Sequence, residues 1–340
     1  MKEFKNALAN LETQPRVPLT ELPTPVQFLE NLTEATGGPA IYMKRDDLTS
    51  LGLGGNKTRK LEFLLGRALD QGCDTLVTAG GIQSNHCRLT AAAARQYGLD
   101  CHLVLNGEPD PNGISQGNLL LDNLFGAQVH FCARPQRDAT LEQTGKDLAA
   151  AGKKPFVIPV GGSTGTGALG YVAAMQELTQ QLREQNTAIN AIAFASSSGG
   201  TQAGLALGAG LTGFKGRILG ISIDQTKTGT DSFLPVLADI ANDAAQLLGV
   251  ELQMTETDFH LNCDYLGAGY AIPGDLELNA IRDLSLHEAI LLGPVYTARA
   301  MGGLLDLIKK GLFTKGQSVL FWHTGGTPEL FAFADLFNKR

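Results

Sequence analysis

Strand-like and helix-like segments alternate along most of the chain, and this limits the available folds more than any other feature. Short β-branched or apolar runs occur at 74–78, 101–105, 127–131, 156–160, 191–195, 217–223 and 318–322. Helical patterns lie between them at 85–97, 168–182, 201–211 and 232–248. Such alternation predicts parallel strands, helices on both faces and right-handed crossovers. The expected class is therefore α/β, built from open, mostly parallel twisted sheets. At 340 residues the chain exceeds the size at which one hydrophobic core stops growing, so two such units are expected.

Glycines mark the predicted strand ends, in Gly80-Gly81, Gly161-Gly162, Gly199-Gly200 and Gly325-Gly326. A glycine pair alone is an ordinary turn. Four pairs flanked by Ser, Thr, Asn and His point instead to backbone passing close to a ligand at the carboxyl edge of a sheet.

Upstream, Lys44-Arg45-Asp46-Asp47 precedes Gly54-Gly55-Asn56-Lys57-Thr58-Arg59-Lys60. The helical pattern of Leu61, Leu64, Leu65, Ala68 and Leu69 begins there, which puts Lys57 at a helix start. Free N–H groups and the positive end of the dipole disfavour a second positive charge at that point. An amine so placed has reason to lose its proton and act as a nucleophile, as Schiff-base lysines do. This reading makes Lys57 a candidate Schiff-base lysine. The plainer alternative is a solvated helix face formed by Lys57, Arg59 and Lys60. A P-loop is excluded by spacing, because Asn56 separates the glycines from the lysine.

Three further loops carry polar groups. Gly165-Thr166-Gly167-Ala168-Leu169-Gly170 matches the dinucleotide fingerprint, but the next strand leads into Ser196-Ser197-Ser198 rather than an acidic residue, which argues against nicotinamide. Ser198-Gly199-Gly200-Thr201 is the better anion cradle, its alternative being a common N-cap by Ser198 or Thr201. Gln83-Ser84-Asn85-His86 opens another helix and offers donors to a carboxylate; Ser84 can cap the helix, touch a ligand, or do both. Asn85 can reach a phenolate oxygen on a cofactor, and His86 can equally be a polar core residue. Near the carboxyl end, Tyr265, Tyr270 and Tyr296 are three of only six tyrosines, followed by His323-Thr324-Gly325-Gly326. A tyrosine in a cleft can bind substrate or move a proton; a core tyrosine with a satisfied hydroxyl is the usual alternative.

Composition narrows the partners. A net charge of −7 and a pI near 5.4 argue against nucleic acid or an anionic membrane surface. The polar start Met1-Lys2-Glu3 leads into no signal-peptide pattern, and no apolar run reaches membrane-spanning length. Five cysteines without CxxC spacing fit a reducing cytoplasm, and nothing is spaced as a metal site.

Together these segments resemble the D-cysteine desulfhydrase and aminocyclopropane-carboxylate deaminase family of pyridoxal-phosphate enzymes. The resemblance runs from Leu22-Pro23-Thr24-Pro25 to His323-Thr324-Gly325-Gly326, and includes Gly167-Ala168-Leu169-Gly170-Tyr171 and Pro294-Val295-Tyr296. It implies a tryptophan-synthase-β-like fold, with a small domain at 58–163 inserted into a large one formed by 1–57 and 164–340. It also implies a homodimer. Lys57 matches the Schiff-base lysine, Lys60 a lysine near the phosphate, and Ser198, Gly199, Gly200 and Thr201 the phosphate loop. Asn85 matches the residue facing the phenolate oxygen, and Thr324 a hydroxyl near the pyridine nitrogen. Gln83, Ser84, Asn85 and His86 match the loop holding the substrate carboxylate. Tyr270 and Tyr296 match the pocket tyrosines, and with Lys57 and Ser84 complete the expected catalytic set.

The deaminases of this family carry a glutamate after the pocket tyrosine, facing the pyridine nitrogen; here Thr297 follows Tyr296. A neutral group makes the ring a weaker electron sink, suited to expelling a β-leaving group. The expected reaction is thus α,β-elimination from D-cysteine, giving pyruvate, sulfide and ammonia. Alternatives are an L-cysteate sulfo-lyase, an aminocyclopropane-carboxylate deaminase, an NAD-dependent dehydrogenase built on Gly165–Gly170, and a silent metabolite-binding protein.

Overall fold

A computed structural model describes residues 2–226 and 231–338, so Met1 lies outside the described residues. Its strands are β1 (Val26–Phe28), β2 (Ala40–Arg45), β3 (Thr75–Gly81), β4 (Asp100–Asn106), β5 (Gln128–Cys132), β6 (Pro155–Ile158), β7 (Ala191–Ser196), β8 (Arg217–Ser222), β9 (His260–Asn262) and β10 (Ser318–His323). They form a six-stranded sheet, ordered β1-β2-β10-β7-β8-β9, and a four-stranded sheet, ordered β5-β4-β3-β6. Every pairing is parallel except β1 with β2.

Both faces of each sheet are covered, as expected for strands joined by helical crossovers. Along β10, Val319 and Phe321 point into a cluster with Ile41, Met43, Ala298 and Met301. Leu320 and Trp322 point the other way, against Tyr171, Met175 and Leu205. This is the two-residue period of a strand buried on both sides. In the smaller sheet, Leu76 and Leu103 pack on Leu61, Leu65 and Leu89, while Val77 and Val104 pack on Leu141. Each large apolar side chain so buried contributes about 1.5–3 kcal/mol.

Strands β1, β2 and β9 were not among the expected runs. In β2 the apolar pattern is broken by Lys44, which is nonetheless fully buried. Its ammonium contacts Glu177 Oε1 at 2.5 Å and donates to Thr24 O at 2.7 Å. Glu177 also pairs with Arg59, which forks onto Asp46 at 2.8 and 2.9 Å. Asp46 further accepts from Tyr171 and Trp322, both at 2.8 Å. This buried network pins β2, the Lys57–Asp70 helix, the Gly165–Glu184 helix and β10 together.

The dinucleotide-like glycines serve that same packing. A Cβ on Gly170 would lie 2.2 Å from Arg59 O, and one on Gly167 would lie 2.1 Å from Gly162 O. They let two helices and a turn approach closely, and none of them faces the cleft. The helix begins three residues before the expected start at 168, because the Thr164 side chain accepts from Gly167 N.

Candidate active site

Strands of both sheets end at one cleft. Thr324 follows β10, Ser196 ends β7 with Ser197, Ser198, Gly199 and Thr201 after it, and Asp224 follows β8. From the smaller sheet come Gly80 and Gly81 of β3, Asn106 of β4 and Gly161 after β6. Parallel strands place their carboxyl edges on the same side, and here two sheets share one opening.

Lys57 is the first residue of its helix and projects into this cleft. Although the side chain is reached through the opening, burial of the amine lowers its pKa to about 8, while a hydrogen bond with Lys60 acts the other way. Burial is the main cause of the softened amine. Lys60 stands behind the lining and donates to Gly161 O at 3.1 Å. Burial and the neighbouring Lys57 hold its pKa well below the ordinary value. Among the described residues neither amine forms a salt bridge to a carboxylate.

Opposite lies the turn from Ser198 to Thr201. Ser163 Oγ donates to Ser198 Oγ at 2.8 Å and accepts from Gly200 N at 3.1 Å. Gly199, with φ of 90°, caps the Gly200–Thr212 helix, so neither Ser198 nor Thr201 is the N-cap. Asn56 Nδ2 donates to Thr201 Oγ1 at 3.0 Å and ties the turn to the lysine-bearing helix. Gly161 is confined by all of this: its φ is +70°, and a Cβ there would sit 2.1 Å from Ser198 Oγ and 3.3 Å from Lys57 Nζ. Two buried amines without salt-bridge partners, facing hydroxyls at a helix start, fit a small dianion such as a phosphate ester.

On the other wall, Ser84 caps the Asn85–Gln96 helix by accepting from Cys87 N at 3.3 Å and also faces the cleft. His86 donates from Nε2 to Thr78 Oγ1 at 2.8 Å, because that hydroxyl spends its proton on Ile158 O. Its Nδ1 is left as a buried acceptor without a partner. Burial, followed by Lys57 and Lys60, keeps this imidazole neutral by lowering its pKa well below the usual value.

Tyr270 and Tyr296 share a 2.5 Å bond between their hydroxyls, with rings packed edge to face at 71°. Burial raises both pKa values, so each phenol keeps its proton at neutral pH. The mouth is basic. Arg134 lies 5.6 Å over the Tyr270 ring and 3.6 Å from Asp224, and Arg137 also faces the cleft.

Of the expected site residues, Lys57, Ser84, Asn85, His86, Ser198, Gly199, Thr201, Tyr270, Tyr296 and Thr324 line this one space, whereas Gln83, Lys60 and Gly200 do not. Gln83 is turned away, its amide bonded to Asn118 N and Gln116 O. Thr297 is buried and does not line the cleft: its hydroxyl accepts from Gly293 N at 2.8 Å and donates to Gly325 O at 3.2 Å, beside the cleft-lining Thr324. Asn56, Arg134, Arg137 and Asp224 were missed. Asn56 lay inside a noted motif, whereas the arginines follow β5 with no local signal.

Residues 17–325 match the family described as "Pyridoxal-phosphate dependent enzyme". The chain is 41% identical over 331 residues to a D-cysteine desulfhydrase of Salmonella newport (strain SL254), covering 96% of this chain and 98% of that protein. The D-cysteine desulfhydrase of Salmonella typhi gives the same identity and coverage. A solved structure described as an ACC deaminase homologue superposes with a TM-score of 0.88 at 37% identity, covering 97% of this chain and 98% of that one. The processed form of a threonine deaminase from Solanum lycopersicum matches with a TM-score of 0.67 at 15% identity, covering 99% of this chain and 87% of that one, a likeness of fold alone.

Proposed function

Since the chain belongs to the pyridoxal-phosphate-dependent enzymes, we propose that it is a carbon–sulfur lyase acting on D-cysteine, with Lys57 as its central group. The observation that carries this reading is the softened amine of Lys57, held opposite a hydroxyl- and amide-rich turn where two sheets meet. The desulfhydrases that the chain resembles over nearly their whole length support the choice of substrate.

In this reading Ser198, Gly199, Gly200 and Thr201 would hold the cofactor phosphate, and Lys60 would stand behind it as a further donor. Lys57 would hold the cofactor covalently, and Asn85 and Thr324 would hold its ring oxygen and ring nitrogen. When bound, pyridoxal phosphate withdraws electrons from Cα of the amino acid. Ser84, the helix-start N–H groups beside it and His86 orient the substrate carboxylate and amine. Freed when the substrate amine takes its place on the cofactor, the Lys57 amine would take the Cα proton at Nζ. The freed electron pair closes a Cα–Cβ double bond, and the Cβ–S pair departs with sulfur as thiolate. Tyr270 and Tyr296, both protonated, can give that thiolate a proton across their shared bond. The released enamine takes up water and yields pyruvate and ammonia.

One observation favours a second reading. Arg134 and Arg137 at the cleft suit a substrate with a fixed negative charge on Cβ, as in L-cysteate. Incubation with D-cysteine, L-cysteine, L-cysteate and 1-aminocyclopropane-1-carboxylate separates these readings by product. Pyruvate and sulfide, formed fastest from D-cysteine, are expected. Pyruvate with sulfite would favour the second reading, and 2-oxobutyrate alone would contradict both.

We also propose a cytoplasmic homodimer with a small domain at 58–163. Two sheets drawn from separate stretches of chain support that division. Among the described residues no helix is long and apolar enough to cross a membrane.

A further inference from the structure

A directional chain of hydrogen bonds runs from the loop at Gln83 to Glu329, which is 244 positions from its partner Asn85. Gln83 Oε1 accepts from Asn118 N at 2.8 Å. Asn118 Nδ2 donates to Gln83 O at 2.9 Å and to Asn85 Oδ1 at 3.1 Å. Asn85 Nδ2 then donates to Glu329 Oε1, and Val295 N donates to Glu329 Oε2 at 3.2 Å. Asn85, Asn118 and Glu329 are all buried, so water does not compete freely for these groups.

Such a chain takes its direction from its ends. An amide can present oxygen or nitrogen to a neighbour, whereas a carboxylate oxygen only accepts. With an acceptor at Glu329, Asn85 must turn its nitrogen that way and its oxygen towards Asn118. Reversal would set oxygen against oxygen at one end and nitrogen against nitrogen at the other. The backbone N–H of Val295 fixes the carboxyl group in turn.

Glu329 does not itself face the cleft. Its two hydrogen bonds and the Arg88 guanidinium favour the ionised form. Burial works against ionisation and lifts the pKa to about 8. Tyr270 and Tyr296 also lie within its electrostatic reach. No feature of the local sequence Thr327-Pro328-Glu329 announces such a contact.

We propose that Glu329 is a positioning residue whose carboxylate fixes the orientation of the Asn85 amide, and through it the contacts Asn85 makes in the cleft. This rests on the reading of Asn85 as a cofactor contact given above.

Glu329→Gln keeps the shape but sets an NH2 group against one of two donors. In the holoenzyme kcat/KM should fall about 10- to 100-fold, and the stripped protein should bind pyridoxal phosphate correspondingly more weakly. If Glu329 acts through Asn85, adding Glu329→Gln to Asn85→Ala should cost nothing further, which a general structural defect would not reproduce. Should Glu329→Gln not fold, Asn118→Ala interrupts the same chain and should show a loss of the same kind, absorbed in the same way by Asn85→Ala. Wild-type kcat/KM and cofactor affinity in these variants, or losses that add to that of Asn85→Ala, would overturn the proposal. Cofactor affinity needs no substrate, so this arm decides the matter even if D-cysteine is not turned over.

Discussion

Replacing Lys57 with alanine should reduce turnover by at least about 10³-fold and remove the absorbance band of the covalently held cofactor. The expectation follows from geometry. Lys57 is the cleft-lining amine, it sits 3.3 Å from the place a Cβ on Gly161 would occupy, and burial brings its pKa to about 8. Lys60 is not a substitute, because its amine is committed to Gly161 O and Ser163 behind the lining. The cofactor-free variant should be no less stable than the parent at neutral pH. A lysine whose folded pKa lies below its unfolded value of 10.5 is a burden to the fold below about pH 8, where both states are protonated. That burden fades as pH rises through 8 towards 10.5, and alanine removes it. Loss of activity with retained stability would mark Lys57 as chemical rather than structural.

The second large effect belongs to stability. Asp46→Ala should destabilise the protein by about 3–5 kcal/mol, because it leaves the buried Arg59 guanidinium without the carboxylate it forks onto and strands the Tyr171 and Trp322 donors. Urea unfolding followed by Trp322 fluorescence reads this directly, since the indole N–H is itself bonded to Asp46. By contrast, Glu142→Ala removes the exposed pair with Lys146 and should leave the midpoint where it was. A similar midpoint for both variants would show that the buried network contributes no more than a surface pair.

That network also explains what was legible in the sequence. Fold class could be read from alternation because β3, β4, β7, β8 and β10 are apolar on both faces, as parallel strands beneath helices must be. Strand β2 escaped notice because Lys44, buried through its pairing with Glu177, breaks the apolar pattern. Its neighbourhood was still flagged, as the charged segment Lys44-Arg45-Asp46-Asp47, but for chemistry rather than support. Asp46 and Lys44 in fact hold up the helix that presents Lys57.

The site was legible wherever residues follow a strand directly, as at Ser84 to His86 and Ser198 to Thr201. Pattern misled where one motif serves two purposes. Gly165 to Gly170 have dinucleotide spacing, yet Gly170 is small so that the backbone of Arg59 can pass. Sequence adjacency to Tyr296 says nothing of which way the Thr297 side chain leaves the turn; its hydroxyl closes onto Gly293 and Gly325. Glu329, Arg134 and Arg137 could not be found at all: tertiary placement alone brings the two arginines to the cleft and Glu329 to Asn85 behind it.

Borohydride reduction of the holoenzyme, followed by peptide mass mapping, tests the central assignment most directly. The pyridoxyl label should fall on Lys57 alone, with fragment ions separating it from Lys60 three residues on. A label on Lys60, or on any other lysine, would contradict the account.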